Sequence, residues 1–92
     1  MAYSVQTIKR IGQAPKTLGN QLGRWATHHN FSAIKVAKAT GASRQSVYNW
    51  FHGGEVFVAY RPAVQALLKI LQSSKSGDEA WSKTCKAFNL TT

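Results

Sequence analysis

The chain is short of acid. Glu55, Asp78 and Glu79 are the only carboxylate side chains in 92 residues, and residues 1–54 contain none. Three acids spread this way argue against a paired Asp/Glu catalytic site. A single cysteine, Cys85, cannot close an internal disulfide, so no disulfide framework is expected and a reducing compartment suits the chain. No stretch approaches the roughly 20 apolar residues that span a bilayer. The opening MAYSVQTIKR lacks a continuous apolar run, so a secretory leader is not expected. Gly53-Gly54 has neither the preceding strand nor the lysine of a phosphate loop. His28 and His29 are adjacent, so they point to different faces, with no Cys or acid at ligand spacing. Neither a metal nor a cofactor is expected. The His, Cys and Asp residues are scattered without a local nucleophile signature, so the expectation is a non-enzyme.

Base is what the chain has. Twelve Lys and Arg against three acids give a formal charge of +9. Lys9, Arg10, Lys16, Arg24, Lys35, Lys38 and Arg44 all fall in the acid-free part. A small domain carrying so much uncompensated charge repels itself, and a polyanion relieves this. Double-stranded DNA is the first candidate partner and an anionic membrane surface the second. Solubility alone is the plain alternative.

The length fits one domain, with no internal repeat or low-complexity tract. Residues 1–13 show no clear period and read as an N-terminal arm, leaving 14–92 as the domain. From Pro15 the pattern is helical: Leu18, Leu22, Trp25 and Ala26 share one face. Gly19 and Gly23 weaken that helix and suit a place where another helix comes close. Ser32 can cap a second helix, Ala33 to Thr40, with Ile34 and Ala37 inward and Lys35 and Lys38 outward. Gly41 ends it. Ser43 can cap a third helix to Phe51, with Val47 and Trp50 buried. Glu55 to Tyr60, EVFVAY, is rich in β-formers and reads as a short strand or an extended loop. Arg61-Pro62 opens a fourth helix bearing Val64, Leu67, Leu68 and Leu71. Ser76 or Asp78 can cap a fifth, about 78–88, with Trp81, Cys85 and Phe88 on one face. Asp78 and Glu79 at its start and Lys86 near its end complement the helix dipole. The expected fold is all-α, a compact bundle of about five helices.

The segment AIKVAKATGASRQSVYNW, Ala33 to Trp50, carries the sharpest signal. Two short helices joined by a tight turn need a small residue at their contact, and Ala37 fills it. They need a residue tolerant of positive φ in the turn, and Gly41 is four positions on. They need apolar residues on the second helix facing back, and Val47 and Trp50 supply them. Arg44, Gln45, Tyr48 and Asn49 project away.

Here the chain resembles the phage repressor and Cro family of helix-turn-helix regulators, over about residues 17–71. The matching positions are Ala37, Gly41, Val47 and Trp50, with the capping Ser43. The resemblance implies a lambda-repressor-like domain with its motif at about 33–51. The helix from Ser43 would enter the major groove N-terminal end first. Arg44 would grip guanine, Gln45 and Asn49 would pair with adenine, and Tyr48 would meet a thymine methyl or a phosphate. Ser32, Lys35, Lys38, Ser43, Ser46, His52 and Arg61 would contact the sugar-phosphate backbone, which positions without reading. Two departures are plain: Ala33 stands where the family often has glutamine, and EVFVAY lengthens the following loop.

The resemblance implies a small transcriptional regulator, a repressor of phage or bacterial type, bound to an operator as a homodimer in the nucleoid of a bacterial or phage-infected cytoplasm. The dimer interface falls either to Val56, Phe57, Val58 and Tyr60 or to the C-terminal helix. The plain alternative for those four residues is that they cover the core. Two other functions stay open. The motif can serve as a scaffold for binding a host protein, or the chain can coat DNA without reading it.

Overall fold

A computed structural model describes residues 2–90 and contains only helices and connections there. Six α-helices follow in order: α1 (Val5–Gln13), α2 (Leu18–His28), α3 (Ala33–Thr40), α4 (Arg44–Phe51), α5 (Arg61–Ser73) and α6 (Gly77–Ala87). A single 3-10 turn, Val58–Tyr60, precedes α5. The all-α bundle expected from the sequence is therefore present, with one helix more.

The additional helix is α1, which replaces the expected irregular arm. Ser4 starts it, its side chain accepting from the Thr7 N–H at 3.1 Å. Arg10 lies in its last turn, where positive charge suits the dipole. Ile11 buries its side chain and Ile8 packs partly against the core, three residues apart on one face. Ala14 then turns extended ahead of Pro15, as a residue before proline prefers. Pro15 itself lies in the linker rather than at a helix start. Thr17 is the cap of α2, accepting from the Asn20 N–H at 3.2 Å.

The sequence-derived limits of α3 hold because its ends are locally determined. Ser32 accepts from the Lys35 N–H at 3.2 Å. Gly41 closes the helix at φ 79°, its N–H bonded to the Ala37 carbonyl at 2.8 Å. Ser43 repeats the device on α4, accepting from the Ser46 N–H at 3.1 Å. Ser76 is the cap of α6, with Asp78 and Glu79 in its first turn.

The inward face of α3 differs from expectation. Ala33 and Val36 are buried, whereas Ile34 is 48% exposed. The inward stripe runs Ala33, Val36, Ala37, Thr40, a helical repeat that leaves Ile34 about a quarter-turn away, beside Lys38.

Helix α2 is the hub, packing on α4 and α5 as well as α1. The core gathers Leu22 and Ala26 of α2, Val47 and Phe51 of α4, and Val64, Leu67 and Leu71 of α5. Phe31 is fully buried before α3, and Trp81 of α6 packs edge-on against it at 5.9 Å. Cys85 is buried with its thiol free. EVFVAY forms no strand. It is a loop that ends in the 3-10 turn, with Val56 folded into the core.

Candidate nucleic-acid interface

Helix α4 has two unlike faces. Val47, Trp50 and Phe51 point into the core, none more than 4% exposed. Gln45 and Asn49 are exposed on the other side, and Arg44 is exposed at the start of the helix. Periodicity gives this division for Gln45 and Asn49, whereas Arg44 stands in line with Val47 and Phe51 at i, i+3, i+7 and is exposed as the first residue of the helix.

Helix α3 packs against α4 across the turn at Gly41. Nothing lies within 4 Å of a side chain built at Gly41, so glycine serves its left-handed backbone rather than a tight space. Ala37 packs partly against the core. Ala37 and Gly41 thus lie on the α3 side of the turn, and Val47 and Trp50 are buried on α4.

The expected base-contact residues do not behave alike. Arg44, Gln45 and Asn49 make no side-chain hydrogen bond within the described residues, so their donors and acceptors face solvent. Tyr48 is half-buried instead. Its ring stands edge-on to Tyr3 at 6.5 Å and to Phe51 at 6.2 Å. It belongs as much to the rim of the core as to the exposed face.

The expected backbone-contact residues also divide. Lys38 is exposed on α3 and His52 at the end of α4. Ser32 and Ser43 spend their hydroxyl oxygens on caps, and Ser43 also donates to the Ser46 hydroxyl at 3.0 Å. Lys35 turns away from the motif. Its ammonium lies 5.8 Å from the Phe31 ring and 5.4 Å from the Trp81 ring, a cation–π cluster beside α6. Arg61 is occupied too: it donates to the Val56 carbonyl at 3.1 Å and pairs with Glu55 at 3.4 Å. Lys35 and Arg61 are thus engaged within the fold, which spacing along the chain does not reveal.

The local field is positive. The acid-free segment comprises α1 to α4, and the first acid after it, Glu55, faces Arg61. The N-terminal end of α4 adds the positive end of its peptide dipoles next to Arg44.

Beside α4 runs an open groove lined by Ser46, Asn49, Trp50, His52, Phe57 and Tyr60. Phe57 in its lining is 75% exposed, and the next residue, Val58, is 72% exposed. Of the four expected interface residues, Val56 is buried and the Tyr60 ring leans on Trp50 at 5.6 Å. The outward apolar surface therefore reduces to Phe57 and Val58.

Elsewhere, Trp25, His28 and His29 gather into one aromatic cluster with the two imidazoles edge-on and 5.0 Å apart, not on different faces as their adjacency predicts, because His29 is already past the end of α2. His29 Nε2 is 2.8 Å from the Leu71 carbonyl. No cluster of three potential ligand residues forms among the described residues. No helix there is long and apolar enough to cross a membrane.

Tyr3 and Asn20 have structural roles that local sequence pattern does not mark. Tyr3 is buried, donates to the Phe31 carbonyl at 2.6 Å and packs on Tyr48 and Phe51. Burial, with Tyr48 close by, pushes its phenol above the ordinary tyrosine range. Asn20 is fully buried beneath α4. Its sequence signal is slight: a polar residue between Gly19 and Leu22 on the apolar side of α2.

Comparison with protein-family models, with curated proteins and with solved structures gives no match.

Proposed function

We propose that this chain binds double-stranded DNA and reads its sequence with α4, as a small transcriptional regulator. One observation carries the reading: Gln45 and Asn49 are exposed on the outer face of a capped helix whose inner face is locked into the core, and Arg44 is exposed at its N-terminal end. These are the side chains that match purine edges in the major groove, Arg on guanine and Gln or Asn on adenine. Lys38 and His52 flank them for phosphate contact, and the acid-free first half supplies the long-range attraction. Tyr48 contributes the exposed part of its ring, and Ser32, Ser43 and Ser46 contribute at the caps.

In the same reading the operator-bound form is a dimer, a repressor acting in the nucleoid of a bacterial or phage-infected cell. Phe57 and Val58 are its candidate contact, since no large apolar side chain of α6 is comparably exposed.

Selection from randomised duplexes tests the reading. The expected result is a preferred site whose affinity falls steeply with added salt, because phosphate contacts release counterions. Absence of binding at low salt overturns it and favours a protein partner for the same face. Equal binding to every sequence reduces the function to DNA coating.

A further inference from the structure

Asn20 has no exposed surface, yet it is polar and lies on a helix lined inward by Gly19, Leu22, Gly23 and Ala26. A buried amide costs free energy unless its groups are hydrogen-bonded. Nδ2 donates to the Ile11 carbonyl at 2.9 Å and to the Phe51 carbonyl at 2.7 Å. Oδ1 accepts from Arg24 Nε at 2.7 Å. Arg24 in turn donates to the Gly12 and Ala14 carbonyls at 2.9 and 3.4 Å. Ile11 and Phe51 stand in the last turns of α1 and α4, where helix carbonyls lose their i+4 partners; the Ile11 carbonyl otherwise accepts only a longer bond from the Ala14 N–H, at 3.3 Å. One side chain therefore ties together the ends of two helices distant in sequence.

The pairing is selective. Aspartate has no N–H to donate and would set a carboxylate against two carbonyl oxygens. The neighbouring glycines extend the same contact, since Gly19 lies against Trp50 and Gly23 against Phe51. Tyr3 closes the arrangement from the other side, with its ring 6.2 Å from Phe51. The C-terminal half of α4 is thus held by α1, α2 and the N-terminal segment, none of which carries a residue proposed to read bases.

We infer that Asn20, held by Arg24, is a positioning residue: it sets the angle at which α4 presents Arg44, Gln45 and Asn49, and so governs sequence discrimination without touching DNA. The inference rests on the reading of α4 as the recognition helix. A bidentate base contact needs both hydrogen bonds aligned, whereas phosphate contacts by flexible lysines tolerate a small tilt.

The test compares the full chain with Asn20→Asp and Arg24→Lys, the second of which keeps the charge and hence the counterion release. Amide hydrogen exchange is measured first, then affinity for the selected duplex and for a random duplex. Exchange is expected to accelerate in α1 and in the C-terminal half of α4 while α5 keeps its protection. Affinity for the selected duplex is expected to fall about tenfold or more. Random-duplex affinity is expected to stay within about threefold at an unchanged salt slope. Equal losses on both duplexes, or unchanged exchange in α4, overturn the inference. If Asn20→Asp does not fold, Arg24→Lys carries both measurements. If the parent chain prefers no duplex, the recognition reading fails by itself, and the exchange pattern alone decides whether Asn20 couples α1 to α4.

Discussion

Gly19 lies directly against Trp50. A Cβ built on Gly19 would stand 2.5 Å from the Trp50 Cβ and 2.8 Å from its carbonyl oxygen. Gly23, one turn further along α2, meets the Phe51 ring in the same way, at 2.7 Å. The two glycines that weaken α2 as an isolated helix are what allow α4 to seat on it.

Their substitution makes the first prediction. Gly19→Ala and Gly23→Ala should each destabilise the fold by about 1–3 kcal/mol, because backbone and ring atoms must shift. Gly12→Ala meets nothing within 4 Å and should stabilise by up to about 1 kcal/mol through helix propensity. Gly41→Ala has equal space but positive φ, and should cost about 1–2 kcal/mol. Urea unfolding of the four variants checks the order. A stabilised Gly19→Ala would mean that α4 does not sit where it is described.

The second prediction concerns reading. Arg44→Ala should cost about 1–3 kcal/mol on the selected duplex and relax preference at one position. Lys38→Ala should weaken all duplexes alike and lower the salt slope by about one. Lys35→Ala should change stability more than binding, since its ammonium rests on Phe31 and Trp81. Parallel titrations with selected and random DNA separate the three. Equal losses for Arg44→Ala on both would remove its reading role.

Phe57 supplies the third. Phe57→Asp should leave the fold intact, because the side chain is 75% exposed and fills no core space. It should shift sedimentation from dimer to monomer and weaken operator binding. If parent and variant sediment as the same species, this surface does not pair two copies.

The fourth is a pH dependence. Folding raises the Tyr3 phenol above its unfolded value of about 10. Below that pH both states keep the proton, and the stability contributed is fully present. Above it the unfolded chain loses the proton while the folded chain keeps it, so stability falls with rising pH. Tyr3→Phe should lose about 1 kcal/mol at neutral pH with its hydrogen bond to Phe31, yet show a shallower alkaline decline. Thermal melts between neutral and alkaline pH follow both effects. Identical alkaline slopes would place the decline on another group.

The helices α3 and α4 could be read from the chain because their signals are short-range. Ser32, Ser43 and Ser76 cap through bonds three residues long, and Gly41 acts through its own φ. The stripe of α5 repeats within a helical turn. None of this depends on distant residues, so local chemistry and periodicity determine it. The polar face of α4 belongs to the same class, since burying Val47 and Trp50 turns Gln45 and Asn49 outward, while Arg44 is exposed as the first residue of the helix.

Tertiary packing decided the rest. α1 has only Val5, Ile8 and Ile11 as apolar residues, and Val5 stays 75% exposed, so the stripe is too short to reveal a helix until α2 provides a surface to cover it. Ile34 and Val36 are both β-branched and apolar, and only the position of the core selects Val36. Lys35 and Arg61 resemble their cationic neighbours until the rings of Phe31 and Trp81, or Glu55, occupy them. Asn20 and Tyr3 bond to residues 28 and 31 positions away, and no spacing rule reaches so far. Local chemistry thus made α3, α4 and the turn between them, while burial, which depends on residues brought together from across the chain, determined how they are held.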